Sequence, residues 1–99
     1  MTKRVAGGIV ERYELLRDKL AATRPRIDAL LAAKWPDLQH MRYSEGTLHL
    51  YYIGLSVQWD AGTETAHIQD GNASARRVAM PLLFVESRMA IGRRAFQHV

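Results

Sequence analysis

The sequence predicts an α+β domain: an N-terminal helical region, kinked or split into two helices, then a three-stranded antiparallel meander and a C-terminal helix, with the helices on one sheet face. Three observations carry this reading. Apolar residues recur at helical spacing from Ile9, they alternate from 39 to 68, and helical spacing returns after the turn-forming stretch QDGNAS.

In the first segment the apolar positions are Ile9, Tyr13, Leu16, Leu20, Ile27 and Leu30, with polar Thr23 in the same stripe. Steps of three and four residues place them on one side of a helix. Glu11, Arg12, Glu14, Arg17, Asp18 and Lys19 supply the solvated remainder. Pro25 predicts a kink or a break near Thr23, since proline lacks a donor and its ring crowds the preceding turn. Thr23 is then a cap for a second helix that ends before Pro36. The stripe suits packing on the chain's own sheet, with Tyr13 in the core. A homodimeric coiled coil through this region is the secondary expectation, limited by Thr23 and Lys34 in the seam.

Two hairpins are expected next. Glu45-Gly46 as a two-residue turn pairs Tyr43 with Leu48 and Met41 with Leu50. Ala61-Gly62 as a second turn pairs Trp59 with Glu64, Val57 with Ala66 and Leu55 with Ile68. Along one unbroken strand Leu48, Leu50 and Tyr52 would face away from Leu55, Val57 and Trp59. A β-bulge at Gly54 restores a single apolar face, because one extra residue shifts the alternation and glycine tolerates a bulge best. The opposite face then carries His40, Arg42, His49, Tyr51, Ser56, Gln58, Thr65 and His67. In the C-terminal segment, a short extended or helical piece is expected at 74–80. A helix then starts at Pro81, with Arg93 and Arg94 in its last turn.

The chain of 99 residues is read as one domain, with about 1–7 as a flexible N-terminus. It has no cysteine, which excludes disulfides, thiolate metal sites and cysteine nucleophiles. No apolar run approaches the roughly 18 residues of a membrane span, and MTKRVAGGIVERYE contains no secretory core. A cytoplasmic location without a membrane partner is expected. The formal net charge of +4 comes with eleven arginines against three lysines, which suits acidic partners. That arginine excess fits GC-rich coding, and with the small size it points to a bacterial or phage source.

Reactive chemistry finds little support. His40, His49 and His67 share the polar face, yet His67 is expected opposite Ser56, about 20 Å along the strand from the other two. Arg42 beside them would repel a cation. Asp60 suits turn formation, the serines lack a nucleophile elbow, and Gly7-Gly8 is no phosphate loop. No catalytic residue, metal ligand or cofactor is expected.

Two binding readings remain. In the first, the protein is a regulator or inhibitor that docks another protein through Arg42, Tyr51, His40 and His49, since tyrosine and arginine serve well as interface anchors. In the alternative, Arg76, Arg77, Arg93 and Arg94 contact the phosphates of RNA or DNA, with Lys3-Arg4 a further basic pair. The segment GNASARRVA resembles the glycine-containing loop and basic pair of double-stranded-RNA-binding domains, through Gly71, Arg76, Arg77 and Ala79. That resemblance implies a helix–three strands–helix order with the basic pair opening the last helix. Ala73, Ala75, Met80 and Pro81 depart from the family's pattern.

Overall fold

The computed structural model describes residues 3–99, with side chains from Ile9 onward. The elements are α1 (Lys3–Ala32), β1 (His40–Ser44), β2 (Thr47–Tyr52), β3 (Leu55–Asp60), β4 (Thr65–Asp70), β5 (Arg76–Ala79), α2 (Leu82–Ile91) and α3 (Arg93–Gln97). The strands form one antiparallel sheet in the order β1-β2-β3-β4-β5. The flexible stretch expected at 1–7 falls where Met1, Thr2 and all side chains through Gly8 lie outside the described residues.

The three expected strands are five: Gly54 divides one of them into two, and residues 76–79 add the other. Gly54 is not a bulge. Ile53-Gly54 is a two-residue hairpin loop that reverses the chain, and β2 and β3 pair along their whole length from Thr47↔Asp60 to Tyr52↔Leu55. Gly54 has φ +73°, a left-handed conformation that glycine adopts without penalty. Both a one-residue bulge and a two-residue reversal leave Tyr52 and Leu55 on one face. The predicted division of faces therefore survives, although the predicted path of the chain does not.

The first hairpin has the predicted register, Met41↔Leu50 and Tyr43↔Leu48, about a Glu45-Gly46 turn with positive φ at both residues. The second slips by two residues. Its loop spans 61–64, and Trp59 faces Ala66 while Val57 faces Ile68. A slip of two leaves side-chain direction unchanged. Asp60 shapes this loop as expected, its Oδ1 accepting from the backbone N–H of Gly62 at 2.8 Å and of Thr63 at 3.0 Å. The segment expected to be extended or helical supplies the fifth strand, with Val78 opposite Ala66.

α1 is one helix; neither a break at Pro25 nor a Thr23 cap is present. Thr23 Oγ1 instead donates back to the Lys19 carbonyl at 2.8 Å. Pro25 and Ala21, whose carbonyl the proline leaves without a backbone donor, are both exposed, so water reaches the freed group. The helix ends where the Trp35 indole N–H donates to the Leu30 carbonyl at 2.8 Å, with Pro36 following.

Ile27 and Leu30 of α1 join the apolar sheet face and Met80, Leu82, Val85, Met89 and Phe96 in one buried core. Trp59 anchors it, 1% exposed, its indole N–H donating to the Met80 carbonyl at 2.6 Å. Tyr13, expected in this core, is 67% exposed, because α1 runs on past the end of the sheet. A 30-residue helix is about 45 Å long, whereas six-residue strands span about 20 Å. Gly92, at φ +114°, separates α2 from α3, so Arg93 and Arg94 open a new helix rather than closing the previous one.

The turn assignment is testable in denaturant melts. Gly54→Ala places a Cβ in left-handed backbone, 3.3 Å from Arg93 Nη2, and lowers stability by about 1–2 kcal/mol. Ile53→Asn changes stability by less than about 0.5 kcal/mol, since Ile53 is 72% exposed on a turn whose one positive φ belongs to Gly54. A continuous bulged strand would be weakened by that asparagine.

Candidate interaction surface on the open sheet face

The helices leave the second sheet face uncovered. Residues alternate in direction, so one cross-strand row on this face reads Arg42, His49, Gln58, His67 and Arg77 from β1 to β5. At about 4.8 Å between strands, the row spans about 19 Å from one guanidinium-bearing strand to the other. His67 stands opposite Gln58, not Ser56, two strands from His49 and level with it. The remote placement expected for His67 is corrected by the reversal at Gly54.

A second row begins with His40, Tyr51 and Ser56. The Tyr51 ring stacks against His40 at 5.7 Å between centroids and against His49 at 6.4 Å, with interplanar angles of 28° and 11°. Three of the four residues expected to bind a partner thus form one ring ladder, and Arg42 flanks it. The near-parallel rings line up their edges and polar atoms side by side along the face.

Charge on this face is lopsided. Arg42 and Arg77 project from it with the three histidines, against one carboxylate, Asp60, whose Oδ1 is engaged in its own turn. Gln58, Asp60, His67 and Arg77 line a cavity of about 250 Å³ at the β3–β5 end. Burial, and then the neighbouring Arg42 charge, lower the His49 pKa from its ordinary 6.5. Its Nδ1 is buried without a hydrogen-bond partner. No group of three or more His, Cys, Asp or Glu able to hold a metal ion occurs among the described residues.

The arginines of the nucleic-acid reading scatter. Arg76 and Arg77 are successive strand residues and point to opposite sheet faces. Arg76 turns toward the core side, where its Nη2 donates to the Phe96 carbonyl at 2.8 Å. Arg93 donates from Nε to the Ile53 carbonyl at 2.6 Å and lies 3.9 Å from Asp70, clamping the β2–β3 turn. Arg94 is exposed on α3. The side chains of Lys3 and Arg4 lie outside the described residues. With five strands, and the basic pair inside β5 rather than opening a helix, the arrangement implied by the double-stranded-RNA-binding resemblance is not formed.

Sequence reasoning missed Gln58, His67 and Arg77 as neighbours of the predicted residues. The glycine at 54 held that signal, read as a reversal. Comparison with known protein families, curated proteins and solved structures finds no match to this chain.

Two outcomes follow from this geometry. Arg76→Ala and Arg93→Ala each lower stability by about 1.5–3 kcal/mol, the range for hydrogen bonds to charged groups, whereas Arg77→Ala and Arg94→Ala leave it within about 0.5 kcal/mol in the same melts. Stability also falls as pH drops through 6.5. The unfolded chain protonates His49 before the folded protein does, so below about pH 7 the unfolded state holds more protons, and the loss is complete only below the lowered folded pKa. His49→Gln flattens that portion of a melting-temperature profile.

Proposed function

We propose that the protein is a non-enzymatic binding module that docks an acidic protein surface on the open face of its sheet. The observation that carries this reading is the His40–Tyr51–His49 ladder beside Arg42, on a face with one engaged carboxylate. Arginine forms bidentate pairs with carboxylates, and the tyrosine and histidine edges add hydrogen-bonding groups around it. Tyr51 and His49 are half-buried and held by strand neighbours, so little side-chain freedom is lost on docking.

Protein is favoured over nucleic acid by the same ladder. Single-stranded nucleic acid is bound by stacking bases on open ring faces along a cationic groove. Here His40 and His49 stack beside Tyr51, and two of the four arginines expected to meet phosphates are engaged with backbone carbonyls.

The test is affinity capture followed by mass spectrometry, comparing the native chain with Arg42→Ala/Tyr51→Ala and with Arg94→Ala. Proteins retained by the native chain and by Arg94→Ala are lost at least tenfold with the double variant, at a temperature where its melt shows it fully folded. Retention by all three would remove this face as the site. Fluorescence anisotropy of labelled RNA and DNA at low salt shows no binding; tight, steeply salt-dependent binding would instead favour the phosphate-directed reading.

A further inference from the structure

A second surface lies on α1, away from the sheet face. Ile9, Tyr13 and Leu16 continue the stripe that Ile27 and Leu30 bury in the core, yet they are 76%, 67% and 42% exposed. The helix is pinned where it leaves the sheet. Lys19 Nζ donates to the Gly62 carbonyl at 3.0 Å and lies 3.3 Å from Glu64 Oε1. Leu16 Cδ1 sits so close to Gly62 that a Cβ there would come within 2.8 Å of it. N-terminal to this anchor, residues 9–15 present their apolar side with nothing packed on it among the described residues.

We propose that this overhang is a docking ledge for a partner helix whose own apolar stripe is flanked by acidic residues. The charge pattern beside the stripe selects that occupant. With Ile9 and Leu16 at heptad position d and Tyr13 and Leu20 at a, Arg12 and Lys19 fall at g and Arg17 at e. The acids Glu11, Glu14 and Asp18 fall at b and f, on the far side. Arg17 lies 3.9 Å from Glu14 and 3.7 Å from Asp18, exposed contacts that yield readily to a better-placed carboxylate.

A second copy of the chain fits poorly. Parallel self-pairing sets Arg12 at g against Arg17 at e, and antiparallel pairing sets g against g, where Arg12 meets its own kind. An anionic membrane fits poorly too. Beside the exposed stripe, over residues 9–20, the three cations Arg12, Arg17 and Lys19 are matched by the three anions Glu11, Glu14 and Asp18, which leaves only Lys3 and Arg4 of the first turns to favour a charged surface. A helix with glutamate or aspartate at its own e and g positions meets cations on both flanks and leucine-sized residues between them.

The experiment uses the full chain and two labelled three-heptad helical peptides in fluorescence anisotropy. Both peptides carry leucine at a and d; one has glutamate at e and g, the other lysine. The glutamate peptide binds at least tenfold more tightly than the lysine peptide, and its affinity falls with salt. Arg12→Glu/Arg17→Glu reverses the preference, and Tyr13→Ala weakens binding at least tenfold. Neither variant lowers the melting temperature, because these side chains are exposed. Arg42→Ala leaves peptide binding intact, which separates this ledge from the sheet face. The proposal is overturned by equal binding of both peptides or by binding of neither. Loss of binding with Arg42→Ala overturns it as well. So does a concentration-dependent dimer in light scattering, or binding to phosphatidylserine vesicles in place of the glutamate peptide.

Discussion

Everything in this fold rests on a reversal that turns the chain without turning its face. Tyr52 and Leu55 are cross-strand partners around Ile53-Gly54, so both project to the same side. The apolar residues of β2 therefore continue directly into those of β3, and one uninterrupted apolar surface meets α1, α2 and α3. The reversal is also held from two sides, since Arg93 of α3 donates to the Ile53 carbonyl and the Gly71 N–H of the β4–β5 loop donates to the Gly54 carbonyl at 2.7 Å. The turn and the helices across the core support one another.

Strand alternation then sorts the arginines. In β5 it sends Arg76 to the core side and Arg77 to the open side. On α3, Arg93 faces the turn it clamps while Arg94 faces solvent. One member of each pair is structural, and the formal charge of +4 overstates what reaches a ligand. The open face owes its positive character as much to the scarcity of acids as to its arginines. Tyr52, on the opposite face, shows how differently the two sides treat a polar group. Burial, and then the charge of Asp37, push its phenol up to about 12, and its hydroxyl has no partner.

Much of this was legible because side-chain direction has a period of two. A bulge and a two-residue reversal shift that period alike, and a register slip of two leaves it untouched. Both faces could therefore be read correctly while the strand count and the second register were not. The reversal was hard to see because Ile53 is an unusual hairpin-loop residue, where asparagine or aspartate would have announced it. Pro25 leaves α1 unbroken for a different reason. It lies on the solvent side of α1, where water replaces the lost hydrogen bond, and periodicity alone does not weigh that. Periodicity also does not say where a sheet ends, so Tyr13 looked identical to Ile27. For the candidate site, His40, Arg42, His49 and Tyr51 were readable as a group, since they belong to one hairpin. His67 and Arg77 were not, because their proximity depends on the number of strands between.

Strand order equals chain order, and the four connections within the sheet are only two to five residues long. Each pairing thus closes a short loop, which keeps the entropic barrier low for a β-rich chain and allows the sheet to grow by adding one hairpin arm at a time. α1 follows the opposite schedule. It leaves the ribosome first, yet the residues that receive it, Gly46, Gly62 and the core, are made afterwards. Its C-terminal half must wait as an unburied amphipathic helix until translation has passed the sheet. Residues 9–15 are still exposed when folding is over.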